Sequence, residues 1–178
     1  MRPIAVAIGL LASVALFGQG QAQLPYIITV TGTVLGELDG DPVKGATVLV
    51  NSDGVAENVL TPKRNGRYTF ELQRGKAYEL TYTAPGQVSK RVVIDTHGAP
   101  PLLDVPSITM TVEITLFPPV EGMDTKLFQE PLGRASYKHS VRNIVWDKTY
   151  GEAKRAELRR YMAGYDKELN GPFVTEPH

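Results

Sequence analysis

Hydrophobic and polar residues alternate with a period of two through most of the stretch from about residue 25 to residue 117. The last run is the most regular, because Ile108, Met110, Val112, Ile114 and Leu116 alternate with threonine and glutamate. Strict alternation is typical of a strand with one buried and one solvated face. The same pattern predicts strands at 28–34, 46–50, 68–72, 78–82 and 92–94.

Turn-forming residues separate these runs and predict how the strands connect. Asn65-Gly66 is the strongest hairpin signal, so the strands on either side of it are expected to pair antiparallel. The stretch 98–101, Gly-Ala-Pro-Pro, is expected to span a crossing between sheets. Six or seven short strands without a helical pattern between them predict a mainly β fold, an antiparallel seven-stranded Greek-key β-sandwich. Three further reversals are predicted at Asp39-Gly40-Asp41-Pro42, Arg74-Gly75 and Pro85-Gly86.

The C-terminal part, residues 118–178, has a different character and is predicted to be an extension of the sandwich domain at 23–117. It holds two short candidate strands at 134–137 and 143–146 and a helical pattern at 148–169, which Gly171-Pro172 should end. The apolar stripe of this helix is expected to pack on the protein's own sandwich, although docking into a partner's groove is an alternative. The stripe consists of Leu158, Tyr161, Met162, Tyr165 and Leu169. The basic cluster Lys154, Arg155, Arg159 and Arg160 is expected to be a solvated helix surface.

The first 22 residues have the pattern of a secretory signal peptide. Arg2 precedes an uncharged run from residue 4 to residue 17, and Gly20-Gln21-Ala22 provides small residues for cleavage after Ala22. There is no cysteine for a lipid anchor, and the apolar run is short for a membrane span. We therefore expect an exported protein, periplasmic or extracellular, with no membrane span after signal cleavage.

The composition of the chain argues against some kinds of partner and excludes some kinds of chemistry. The 178 residues carry 19 Lys and Arg against 19 Asp and Glu, a formal net charge of zero, with no basic block. Nucleic-acid binding needs a cationic surface, so it is not expected. The absence of cysteine excludes disulfides, thiolate chemistry and zinc sites built on cysteine.

Five short motifs in the predicted sandwich are typical of one known family. They are residues 32–34 (GTV), 42–48 (PVKGATV), 65–70 (NGRYTF), 75–80 (GKAYEL) and 84–90 (APGQVSK). Through these motifs, the first hundred residues after the signal resemble a carboxypeptidase regulatory-like domain, the transthyretin-like sandwich found in many secreted bacterial proteins. The resemblance implies an accessory module for folding, attachment or interaction. Two positions depart from the family pattern: Lys63 stands where an acid is usual, and Gln87 where an aromatic is usual.

No set of residues with the spacing of an active site is found. A zinc peptidase needs a glutamate three residues after a histidine ligand, whereas Pro100 and Arg142 occupy those positions after His97 and His139. Asp39 and Asp41 could offer two carboxylates to a cation, but calcium takes about six to eight oxygens, so an Asx-type turn is expected. Nucleotide-binding and nucleophile-elbow motifs are also absent from the sequence. We predict no catalytic residue, no cofactor and no metal.

Aromatic residues concentrate in the C-terminal extension, at Tyr137, Trp146, Tyr150, Tyr161 and Tyr165. They are candidates for contact with a partner or a sugar, although packing of the extension on the sandwich is the role expected of them. The function expected from the sequence is a non-catalytic scaffold for protein contact in the bacterial cell envelope, through an exposed edge strand or the tail. The partner would be an envelope or secreted protein. The alternative is a carbohydrate-binding module that uses these aromatic residues.

Overall fold

The computed structural model describes residues 27–100 and 107–170. The predicted signal peptide, Pro101 and the helix-ending pair Gly171-Pro172 lie outside the described residues. Within the two described ranges the chain forms nine strands, one short 3₁₀ turn and one α-helix. No helix in the described part of the chain is both long enough and apolar enough to cross a membrane.

Each of the six alternating runs forms a strand, and β3 is a seventh that lies between the second and third of them. Both predicted strands of the extension and the predicted helix are also confirmed. The strands are β1 (Ile27–Gly36), β2 (Thr47–Ser52), β3 (Val55–Leu60), β4 (Arg67–Leu72), β5 (Ala77–Thr83), β6 (Lys90–Asp95), β7 (Ser107–Leu116), β8 (Gly133–Lys138) and β9 (Asn143–Trp146). The helix is α1 (Lys148–Leu169), and the 3₁₀ turn spans Lys126–Gln129.

The strands form two sheets, and the predicted mainly β sandwich with a C-terminal helix is confirmed. The small sheet has the order β4-β1-β7, and the large sheet has the order β3-β2-β5-β6-β8-β9. Strand orientations are mixed rather than antiparallel throughout, since β1 runs parallel to β7 and β6 parallel to β8. Parallel neighbours need a crossover connection. Here strands of the opposite sheet provide it. For example, β7 of the small sheet lies in the chain between β6 and β8, which are parallel neighbours in the large sheet.

Asn65-Gly66 does not form a hairpin, so that prediction is wrong. β3 pairs with β2 in the large sheet and β4 pairs with β1 in the small sheet, so the loop between them crosses from one sheet to the other. Gly66 has a φ of 75°, and its carbonyl oxygen accepts a 2.9 Å hydrogen bond from the Val34 N–H. Asn65-Gly66 therefore turns the chain into β4, and the hydrogen bond fixes the loop to β1.

Two other turns close hairpins of the large sheet. Pro85-Gly86 joins the antiparallel strands β5 and β6, as predicted. Asp53-Gly54 joins β2 and β3, and its φ angles of 48° and 84° are both positive, as in a type I′ turn. Asp53 Oδ1 accepts a 3.1 Å hydrogen bond from the Ala77 N–H, which fixes this turn to the start of β5.

The core between the sheets contains a hydrogen-bonded pair of tyrosines. The Tyr68 hydroxyl donates to the Val112 carbonyl at 2.6 Å, so the Tyr82 hydroxyl must donate to Tyr68 across the 2.8 Å between them. Burial raises the pKa of Tyr68 to about 12 and also raises the pKa of Tyr82. Gly32 on β1 lies beside this pair, and a Cβ atom there would be only 2.6 Å from the Tyr68 hydroxyl. The missing side chain makes room for the tyrosine.

α1 packs on a second apolar cluster, which we call the helix cluster. The Tyr165 ring meets the Phe117 ring edge-on, with centroids 5.1 Å apart. The expectation that the stripe packs on the protein's own sandwich is confirmed, except that Leu169 is exposed. The buried members of the helix cluster are Val88, Phe117, Phe128 and Tyr165, and those partly buried against them include Leu158, Tyr161 and Met162.

Lys154 fixes the first half of the helix to the segment before β8. Its Nζ donates to Glu130 at 2.6 Å and to Glu157 at 3.0 Å, and the residue is buried. The expected solvated basic surface is therefore wrong for Lys154. It holds for Arg155, Arg159 and Arg160, which are exposed.

The Glu130–Lys154 pair should make part of the stability sensitive to acid. The hydrogen bond from Lys154 lowers the pKa of Glu130 below its ordinary 4.5, so the unfolded chain takes up a proton first as pH falls. The pair stabilises the fold above about pH 4.5 and loses this contribution progressively below it, whereas Glu130→Gln lacks it at every pH. Urea unfolding of both proteins at about pH 7 and about pH 3 measures this. If the wild type and Glu130→Gln differed in their free energy of unfolding by the same amount at both pH values, the prediction would be contradicted.

Candidate functional site

The five candidate aromatic residues do not form one surface. Tyr137 and Tyr165 are buried, and Tyr161 is half-buried in the helix cluster. Tyr150 is also half-buried, and its hydroxyl donates to the Pro131 carbonyl. Trp146 is 38% exposed at the end of β9. Four of the five thus take part in packing the extension.

The histidines in the described residues lie in separate loop positions. His97 is exposed, and its N–H donates to Asp95 Oδ1 at 2.9 Å, which lowers the pKa of Asp95. His139 is exposed and meets the Tyr137 ring edge-on at 5.2 Å. Among the residues that the structure describes, no three His, Asp or Glu side chains are grouped so that they could hold a metal ion.

Asp39 and Asp41 form a turn, as expected. The Asp41 N–H donates to Asp39 Oδ1 at 3.0 Å, which is the hydrogen bond of an Asx turn. The Gly36 N–H donates to the Asp41 carbonyl at 2.7 Å and closes the loop onto β1. The carboxylate of Asp39 is therefore used within its own loop.

β3 is the most exposed strand of the sandwich and forms one edge of the large sheet. Five of its six residues are exposed, and Leu60 alone is partly buried. Val55 is 67% exposed and Val59 is 60% exposed. Of this strand, Leu60 alone packs against the core between the sheets. An edge strand presents backbone N–H and C=O groups without partners, and here it also presents apolar side chains.

Two features at this edge oppose unselective strand pairing. The pairing of β2 with β3 shifts register between Val50 and Asn51, so β3 is irregular at its centre. Glu57 lies at that irregularity and forms an ion pair with Lys76. Charges and bulges on edge strands are common protection against edge-to-edge aggregation. A partner strand would have to accommodate both features.

A groove of about 1140 Å³ lies at the end of the sandwich where β3 finishes. Its walls come from the β1–β2 loop, the β3–β4 loop, the β5–β6 turn and the residues after β7. Apolar and charged side chains both line it. They include Leu38, Pro42, Val43, Pro62, Pro85 and Pro118, together with Glu37, Asp39, Asp41, Lys44, Lys63 and Arg64.

Lys90 connects this end of the sandwich to the helix cluster, and sequence analysis did not single it out. It is 3% exposed, and its Nζ lies 5.0 Å from the centre of the Phe117 ring and 3.7 Å from Glu37. Burial lowers the pKa of Lys90, while Glu37 opposes the shift. The signal was available, because Lys90 occupies the inward register of β6 that Val92 and Ile94 continue. This register places a charge where an apolar residue is usual.

Residues 29–113 match the family model described as the carboxypeptidase regulatory-like domain. The match runs from β1 into β7 and so covers the sandwich without the extension. The resemblance to this family that the sequence indicated is therefore confirmed over these residues.

Three known proteins are similar to this chain over parts of their length. Bacillopeptidase F of Bacillus subtilis is 36% identical over 70 residues, which are 39% of this chain and 5% of that protein. The TIE protein of Bacillus anthracis is 21% identical with a TM-score of 0.37, over 52% of this chain and 17% of that one. Catechol 1,2-dioxygenase from Acinetobacter is 12% identical with a TM-score of 0.39, over 66% and 60% of the two chains. The chain thus spans less than two thirds of each.

Proposed function

We propose that this chain is a non-catalytic accessory module that works outside the cytoplasm and binds another protein of the cell envelope through the edge strand β3. The carboxypeptidase regulatory-like domain supplies the rigid scaffold. The exported location rests on the signal-like pattern of residues 1–22.

The exposure of β3 carries the proposal. Val55 and Val59 are the most exposed large hydrophobic residues among those that the structure describes. A partner strand added to β3 would satisfy its free backbone groups and cover these side chains. The tail is the weaker candidate surface, because α1 buries most of its apolar stripe against the helix cluster.

The arrangement of titratable groups favours binding over catalysis. General acid–base chemistry needs two or more such groups converging on one point. His97 is paired with Asp95, and Lys90 is buried beneath Phe117. Each is engaged in a separate part of the fold, so we assign no reaction to them.

The double variant Val55→Lys/Val59→Lys should lose the partner while keeping the fold. Lysine on an edge strand blocks pairing, and both positions are exposed, so the stability should change by less than about 0.5 kcal/mol for each. Crosslinked pull-down of the full chain from its native cells, followed by mass spectrometry, compares the variant with the wild type. We expect a specific envelope protein with the wild type and only background with the variant.

Thr109→Lys is the matched control, since Thr109 is exposed on β7 of the other sheet. It should capture the same protein as the wild type. Equal capture by the wild type and the β3 variant would refute the assignment of β3 as the contact surface. A wild type without any specific crosslinked protein would refute the proposed function.

A further inference from the structure

We propose that the groove beside the end of β3 binds an extended, acidic segment of the partner protein. This inference rests on the proposed function and specifies the chemistry of the partner. β3 ends at Leu60, and the next residues, Thr61 to Arg64, line the groove. A partner strand that follows β3 past Leu60 therefore runs directly into the groove.

The basic side chains of the groove have no bonded counterion in the described part of the chain. Lys44, Lys63 and Arg64 are exposed, and their side chains make no hydrogen bond or ion pair within the described ranges 27–100 and 107–170. Lys63 and Arg64 belong to the loop that leads into β4. Three cations without counterions attract a carboxylate, and the attraction acts over about 8–10 Å at physiological salt.

Two of the three acidic residues that line the groove, Asp39 and Glu37, are engaged in contacts within the protein. Glu37 follows β1, and its N–H donates to the Leu116 carbonyl on the β7 side. Its carboxylate accepts a hydrogen bond from the Thr115 hydroxyl and lies 3.7 Å from Lys90 Nζ. The Asp41 carboxylate makes no hydrogen bond or ion pair within the described ranges, so one unengaged carboxylate faces three unengaged cations. This excess of positive charge favours a bound segment with carboxylates near Lys63 and Arg64.

The floor of the groove favours an extended chain with apolar residues. Leu38 is 56% exposed, and Val43, which also lines the groove, is half-buried. Four prolines also line the groove, and their fixed φ angles hold its walls in place before binding. A preformed site loses less conformational entropy when the ligand binds. The expected ligand therefore alternates apolar and acidic residues.

Titration of the ¹⁵N-labelled full chain with a short capped peptide of alternating valine and glutamate tests this inference. Amide shifts should be concentrated at residues 36–46 and 61–64, and added salt should weaken binding. Lys63→Glu/Arg64→Glu should reduce the affinity about tenfold or more, because it reverses two charges of the site. Arg159→Glu, on the exposed side of α1, should leave the affinity unchanged.

The same peptide with lysine in place of every glutamate is the charge control. Equal binding of the two peptides, an affinity unaffected by Lys63→Glu/Arg64→Glu, or an absence of shifts in these loops would each overturn the groove assignment. That failure is distinguishable from failure of the proposed function. In the pull-down, capture that depends on Val55 and Val59 but not on Lys63 and Arg64 keeps the edge strand as the contact surface and removes the groove.

Discussion

Gly32→Ala should destabilise the sandwich by about 3 kcal/mol, because the interior has no room for a methyl group at this position. The added Cβ would overlap the Val112 carbonyl oxygen and come within 2.6 Å of the Tyr68 hydroxyl. Tyr68 would have to move and would lose its hydrogen bonds to Val112 and Tyr82. Urea unfolding should show a midpoint lower by about 1 M or more.

Gly98→Ala is the matched control for this change. A Cβ atom at Gly98 would lie 3.7 Å from its nearest neighbour, the Tyr137 carbonyl oxygen, which is an ordinary contact distance. This variant should unfold within about 0.5 kcal/mol of the wild type. If Gly32→Ala were as stable as Gly98→Ala, the described packing of β1 against Tyr68 would be incorrect.

Phe117→Ala should release the C-terminal helix from the sandwich. Phe117 is fully buried at the centre of the helix cluster, and its ring contacts those of Phe128, Tyr161 and Tyr165. Truncating a buried phenylalanine costs about 3–5 kcal/mol. The loss is expected mainly in the helix cluster, so amide hydrogen exchange in α1 should accelerate by about a hundredfold or more.

Leu169→Ala provides the control on the same helix. Leu169 is exposed, so its truncation should leave the exchange of α1 nearly unchanged. Exchange in β1, β4 and β7 should accelerate less than exchange in α1 when Phe117 is replaced. Unchanged protection of α1 in Phe117→Ala would show that the helix is held by other contacts, such as Lys154 with Glu130 and Glu157.

Alternation and helical periodicity predicted the strands and the helix where one face of an element is buried. In β7 every second residue from Ile108 to Leu116 is buried, and the sequence alternates accordingly. Whether neighbouring strands run parallel or antiparallel could not be predicted in the same way, because an alternation with period two is the same in both chain directions. The parallel pairing of β1 with β7 depends on the path of the chain through the other sheet.

Turn residues predicted where the chain bends but not which strands it joins. Asn65-Gly66 and Asp53-Gly54 carry the same local preference for positive φ. One crosses between sheets and the other closes a hairpin, because partner choice depends on long-range packing. In the crossing loop, the contact of Gly66 with β1 replaces the cross-strand pairing of a hairpin.

The proposed contact strand was the strand that the pattern missed. The sequence of β3 does not alternate, because five of its six residues are exposed and only Leu60 is partly buried. The amphipathic signal that reveals other strands comes from burial, so an uncovered edge strand lacks it. The groove was missed for a related reason, since it is formed by loops that are distant from one another in sequence.

The candidate aromatic residues were visible in the sequence, unlike β3 and the groove, but their role could not be predicted from it. Their concentration in the extension was visible in the sequence, but their exposure was not. Tyr161 and Tyr165 were also recognised as members of the helical stripe, which the structure places against Phe117. A stripe at helical spacing predicts a buried face, and aromatic content alone does not separate packing from binding.

Site-specific photocrosslinking at β3 tests the central claim most directly. A photoreactive amino acid in place of Val59 of the full chain, expressed in its native cells, should form an adduct with one envelope protein when irradiated. The same amino acid in place of Thr109 should form none. Adducts of equal yield at both positions, or an adduct at position 109 alone, would contradict the account of β3 as the surface that binds the partner.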